Sequence, residues 1–152
     1  MCVLRAVNAA WIGEYFASMK GEIAGFFSSD LLRASQTAEI IAEPHGMAVE
    51  RDSRLREMNL GVFQTYDRTE AEAKYPAEWA SYGASRTFKI PGGESKVELY
   101  NRVAAGVEDI AAKFAGKTII VVAHGGALRA IHARLQGVPV SASGSQLDPR
   151  HC

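Results

Sequence analysis

The sequence predicts a layered α/β domain, and three stretches of it carry that prediction. Thr118 to Ala123 is a β-branched apolar run without polar alternation, the pattern of a parallel strand buried on both faces. A helical stripe precedes it, from Val97 through Val103 and Ile110 to Phe114, and another follows through Leu128, Ile131 and Leu135. Upstream, Ile23 to Ser28 is a second short apolar segment that passes through a polar turn into a helix, so the order strand, turn, helix occurs twice.

From the N-terminus, Trp11, Ile12, Tyr15, Phe16 and Met19 lay a bulky stripe along one side of a helix that starts almost at the first residue and ends near Gly21. After the strand at Ile23 to Ser28, the side chains of Ser28, Ser29 and Asp30 offer capping oxygens to a helix carrying Leu31, Ala34, Ala38 and Ile41. Pro44 and Gly46 stop that helix, and Ala48 with Val49 reads as a weak strand before the polar stretch Glu50 to Glu57. From Met58 to Pro91 the periodicity loosens into an excursion beside the core. One helix is expected there, after the capping-box residues Thr69 to Glu72, with Tyr75, Trp79 and Tyr82 along it. Pro91, Gly92 and Gly93 break the chain. Ser95 and Glu98 then form a second capping box ahead of the clearest amphipathic helix, which Gly116 closes. The last helix runs to Gly137, and residues 141–152 read as a polar, irregular tail.

The 152 residues carry 17 Lys and Arg against 17 Asp and Glu, with 47% hydrophobic side chains. A formal charge of zero argues against nucleic acid or a membrane surface as partner, because both recruit a basic excess. The length and apolar fraction suit a single domain over residues 1–152 with a real core. Cys2 and Cys152 sit where the chain frays most readily, so a bridge is not expected and a reducing, cytoplasmic setting is. The run Ile119 to Ala123 is far shorter than the roughly 20 apolar residues that span a bilayer.

The strongest chemical signal is His124, placed where a buried strand gives way through Gly125 and Gly126 to a helix. Side chains at the carboxyl ends of such strands line the crevice of an open α/β sheet. The glycines admit close backbone approach, and free amides at a helix start favour an anion such as phosphate. Ser28 to Arg33 repeats that layout, with Arg33 one turn into its helix, where a guanidinium can fork onto phosphate oxygens. Three other motifs fail. Gly116-Lys117-Thr118 resembles the end of a P-loop, but Ala111 stands where its first glycine belongs and the triplet precedes a strand. No serine has the flanking glycines of a nucleophile elbow. His45, His124, His132 and His151 lack metal-ligand spacing, so neither a metal nor a cofactor is expected.

Four segments in order, Ser28 to Ala38, Arg56-Glu57-Met58-Asn59-Leu60-Gly61, Pro91-Gly92-Gly93-Glu94-Ser95 and Val121 to Gly126, resemble the histidine phosphatase superfamily, the phosphoglycerate mutase-like proteins. The resemblance covers roughly Trp11 to Val140. It implies a three-layer α/β/α fold around a mostly parallel sheet and metal-free phosphoryl transfer through a phosphohistidine. By the same resemblance Arg33 clamps the phosphoryl oxygens, His124 stabilises the charge that builds on the moving phosphoryl group with Gly125 beside it, and Glu57 protonates the leaving oxygen. Gln64 stands where many members carry a glutamate.

The family's nucleophile lies in an arginine-histidine-glycine triplet at the end of a first strand, and this sequence has no histidine before His45. The reading is therefore a domain incomplete at its N-terminus. It is expected to be a phosphatase or phosphoglycerate mutase-like enzyme for a small phosphorylated metabolite, impaired for want of that histidine. The alternative is a noncatalytic domain that binds a phosphorylated ligand or a partner. Without that strand, the sheet edge beside Ile119 to Val122 is expected to be exposed, which offers a route to a homo-oligomer.

Overall fold

The computed structural model describes residues 3–19 and 21–138. The cysteines and the tail expected from Ser141 onward lie outside the described residues. The elements run α1 (Val3–Ala17), β1 (Ile23–Ser28), α2 (Leu32–Ala42), β2 (Val49–Arg51), α3 (Arg68–Lys74), α4 (Pro76–Ala84), α5 (Lys96–Lys113), β3 (Thr118–Val122) and α6 (Gly125–Leu135), with short 3-10 turns between. The described residues form two compact units, one within 3–56 and 105–124, the other within 57–104 and 125–138.

The first unit is built on a three-stranded, all-parallel sheet in the order β2-β1-β3. Its two faces have separate apolar covers. Ala9 of α1 and Ile41 of α2 pack with Ile23 and Phe26 of β1 on one side, joined by Ile120 and Val122 of β3. On the other side Ile110 of α5 and Leu55 pack with Phe27, and Ile119 and Val121 complete the cluster. Helix, sheet and helix are the three layers that the family resemblance implied. Ile23 and Phe26 share a face although three residues apart, because the pairing of β1 with β3 slips by one residue between Ile23 and Gly25.

Two details of this unit depart from the sequence reading. The bulky stripe expected of the first helix divides: Phe16 of α1 and Met19 in the turn after it pack inward, whereas Trp11 is 70% and Tyr15 65% exposed. The inward face is instead Ala9, Gly13 and Phe16, at helical spacing, and a Cβ on Gly13 would stand 3.3 Å from the Ile40 carbonyl oxygen of α2. Small residues there let the two helix backbones approach, and the aromatics are left outside. The second departure is β3, where Ile119 to Val122 are half-buried rather than buried. Both faces of β3 are covered, but it pairs only with β1 among the described residues, and an edge strand keeps part of its surface.

In the second unit, Phe63 is the centre of an aromatic cluster, with Trp79 edge-on at 5.4 Å between ring centroids and Ile90 fully buried beneath. Tyr75, Trp79 and Tyr82 belong to this cluster, but not on one continuous helix. Tyr75 precedes Pro76, which disfavours helical backbone in the residue before it, and the segment splits into α3 and α4. The capping box of α3 is Asp67 with Glu70, two residues earlier than Thr69, since Asp67 and Glu70 already have the required spacing. The box at Ser95 forms as expected: Ser95 Oγ accepts from Glu98 N at 3.1 Å and Glu98 Oε2 accepts from Ser95 N at 2.8 Å.

Candidate functional site

In the first unit, β1 and β3 run parallel and stop together, Ser28 opposite Val122, and Ser29 N extends the ladder to the Val122 carbonyl at 3.1 Å. The residues that leave the two strands are therefore neighbours at the carboxyl edge of the sheet. His124 is 8% exposed there, and its Nε2 lies 2.9 Å from the Oγ of fully buried Ser29. A hydroxyl can donate or accept, so it serves either imidazole tautomer. Ser29 Oγ also accepts from Leu31 N at 3.3 Å, which ties the histidine to the turn that opens α2.

That turn is not capped as the sequence suggested. Leu31 stands at the N-cap without a side-chain bond to the helix. Ser28 Oγ donates to the Ser29 carbonyl, Ser29 faces His124, and Asp30 is taken by Arg56, whose Nε and Nη2 reach its two carboxylate oxygens at 2.7 and 2.5 Å. The hydrogen bonds from Arg56 hold the Asp30 carboxyl below its ordinary range. Arg56 thus neutralises the Asp30 carboxylate, which would otherwise repel an anion drawn to the helix start. Arg33 sits in the first turn of α2, exposed, and its guanidinium makes no hydrogen bond or ion pair among the described residues.

Glu57 opens the second unit and is half-buried. One carboxylate oxygen accepts from Met58 N at 2.9 Å, the other from Gly126 N at 3.0 Å in the first turn of α6. An amide that the sequence reading left open to a ligand anion is thus bonded to an internal carboxylate. Gly126 is required for this approach, since a Cβ would collide with Glu57 Oε1. The Glu57 carbonyl accepts from Arg102 Nη2 at 2.9 Å. Close by, Tyr82 Oη donates to Met58 Sδ at 3.8 Å, and burial pushes its phenol above the ordinary range. Lys96 Nζ donates to the Tyr82 carbonyl at 2.7 Å, and burial lowers its ammonium pKa.

Sequence reasoning singled out His124, Gly125, Arg33 and Glu57 but missed the roles of Ser29 and Arg102. Ser29 carried the same signal as His124, a polar residue just past a buried strand. Arg102 lies between the buried Leu99 and Val103 on α5, where a guanidinium is seldom placed without a buried partner.

The family model of the histidine phosphatase superfamily (branch 1) matches residues 6–148. Phosphoglycerate mutase-like protein 4 of Arabidopsis thaliana is 39% identical over 120 residues, 77% of this chain and 52% of its own length. A probable phosphoglycerate mutase of Yersinia enterocolitica is 36% identical over 132 residues, covering 86% of this chain and 60% of the relative. The chain thus spans little more than half the length of these relatives. Among solved structures, a native mycobacterial glucosyl-3-phosphoglycerate phosphatase superposes with a TM-score of 0.80 at 29% identity, over 94% of this chain and 70% of that one. The Bacillus stearothermophilus protein YhfR gives 0.79 at 25% identity, over 93% and 69%.

Proposed function

Because the chain belongs to the histidine phosphatase superfamily, branch 1, we propose that it is a phosphoryl-transfer domain of the phosphatase or phosphoglycerate mutase-like kind, acting on a small phosphorylated metabolite through a phosphohistidine. The observation that best supports this is the meeting of His124 and Ser29 at the common carboxyl edge of two parallel strands, where such sheets bind ligands. In this reading Arg33 grips the phosphoryl oxygens with a guanidinium that has no competing carboxylate among the described residues. His124 stabilises the charge on the phosphoryl group in flight, with the Gly125 backbone beside it. The phosphoryl group passes from the ester oxygen to a histidine nitrogen, Glu57 gives its proton to the departing alcohol, and water then releases phosphate.

The arginine-histidine-glycine triplet that supplies the nucleophile in the family has no counterpart in these 152 residues. His124 is a poor substitute, because a group that flanks the phosphorus is out of line with the leaving oxygen, and misplacement by an ångström can cost about a hundredfold. The 152-residue chain therefore binds inorganic vanadate, which stands in for the transferring phosphoryl group, and hydrolyses an aryl phosphate near background. Adding an N-terminal strand that bears the triplet restores metal-independent turnover, and His124→Ala in that form removes most of it. Robust turnover by the 152-residue chain, with phosphate mapped to His124, would overturn the assignment of roles. Vanadate binding that survives while the triplet-bearing form stays inactive would instead favour a noncatalytic phospho-ligand domain.

A further inference from the structure

We infer that Arg102 is the positioning residue of Glu57, with Glu94 as its counter-charge, an inference that rests on Glu57 being the proton donor proposed above. The basis is the peptide unit joining Glu57 to Met58. Its carbonyl accepts from Arg102 Nη2 at 2.9 Å, and its N–H donates to the Glu57 carboxylate at 2.9 Å. The peptide plane is held at both ends. If the carbonyl is released, rotation about the flanking torsions carries the Met58 N–H away from the carboxylate, which then keeps only the Gly126 amide.

Arg102 is suited to hold a carbonyl because its charge is already satisfied. Its Nη2 and Nε donate to the two carboxylate oxygens of Glu94 at 2.6 and 2.9 Å, and the two side chains are 25% and 14% exposed. The guanidinium therefore reaches Glu57 through its backbone and leaves the Glu57 carboxylate to the amides. Glu94 is itself fixed, accepting from Asn59 N at 2.8 Å, while Glu94 N donates to the Asn59 carbonyl at 3.0 Å. At Gly61 and Gly93 the backbones of these two segments touch, so closely that a Cβ on either would strike the other. A stiff support of this kind suits an acid that must stay in one place while its partner oxygen departs.

Amide hydrogen exchange at Met58 and Gly126, read by nuclear magnetic resonance on the 152-residue chain, tests this without requiring turnover. Arg102→Met is expected to lower protection of the Met58 amide about tenfold, the scale of one lost hydrogen bond, and that of Gly126 with it. Arg102→Lys keeps a donor within reach and should retain most of the protection, which guards against a methionine variant that does not fold. The exchange of charges, Arg102→Glu with Glu94→Arg, should recover the thermal midpoint of unfolding but not the protection, because a carboxylate cannot donate to the Glu57 carbonyl. Unchanged protection in Arg102→Met, or recovery of both properties in the charge exchange, would reduce Arg102 to an ordinary ion pair and overturn the inference. In the triplet-bearing form, Arg102→Met should slow an alkyl phosphate more than an aryl phosphate with an acidic phenol, which needs less proton donation. A form that turns over neither ester would count against the proposed function and leave the exchange result standing.

Discussion

His124 Nε2 lies 2.9 Å from Ser29 Oγ, a contact between residues 95 positions apart that closes the carboxyl edge of the β1 and β3 pair. Ser29 is fully buried and His124 nearly so, so each depends on the other more than on solvent.

Ser29→Ala should therefore destabilise the first unit by about 1–3 kcal/mol, the scale for removing one partner of a buried hydrogen bond. Urea unfolding checks this, and the ring nitrogen shifts of His124 should move with it. An unchanged midpoint together with unchanged imidazole shifts would show that the contact carries no weight.

At Gly126 two effects oppose each other. Alanine improves helix propensity by roughly 1 kcal/mol, but its Cβ collides with Glu57 Oε1, the mobile end of a side chain that can swing aside. Gly126→Ala should leave overall stability within about 1 kcal/mol of the parent while displacing Glu57, because the lost hydrogen bonds offset the gain. The Met58 amide resonance should shift strongly while the unfolding midpoint hardly moves. A Met58 amide that stays in place would mean that the carboxylate adapts without leaving.

Acid should weaken the first unit through Asp52. Its carboxylate caps the 3-10 turn at Ser53–Leu55 and takes three bonds from the Arg54 guanidinium, which also reaches Asp109. The Arg54 hydrogen bonds hold the Asp52 carboxyl below its ordinary value of 3.8. A lowered folded-state pKa adds stability that is fully present above that ordinary value and is lost as the pH falls through the lower one. Unfolding free energies measured from about pH 6 down to about pH 2 should decline less steeply in Asp52→Asn than in the parent. Parallel curves would exclude this carboxylate as a source of acid sensitivity.

The edge position of β3 makes a prediction about association. Five β-branched residues in a row, the last four half-buried and the strand paired on one side among the described residues, are a template for another strand. Sedimentation of the 152-residue chain should show concentration-dependent self-association, and β3 amides should exchange faster than those of β1. A concentration-independent monomer whose β3 amides are all protected would contradict both expectations.

Much of the fold was legible because its signals are local. The strand Ile23–Ser28, the capping box of Ser95 and Glu98, and the left-handed glycines at 46, 116 and 137 follow from spacing, turn chemistry and backbone sterics within a few residues. The aromatic stripe of α1 was misread for a physical reason. Periodicity shows that a helix has a bulky side, but how closely α2 approaches decides whether that side or the narrow one of Ala9 and Gly13 turns inward.

The sequence by itself determined the order of strands, turns and helices, and with it the placement of His124 just beyond a strand and Arg33 in the first turn of a helix, since each depends on neighbours in the chain. Tertiary structure decided the rest. Which group His124 meets, which amide receives the Glu57 carboxylate and which cation holds the Glu57 carbonyl are pairings across 95, 69 and 45 residues. Such pairings depend on strand register and on segments clamped far apart in the chain, and a hydrogen bond fails within a fraction of an ångström of its proper length. No local pattern of residues specifies a distance of that kind.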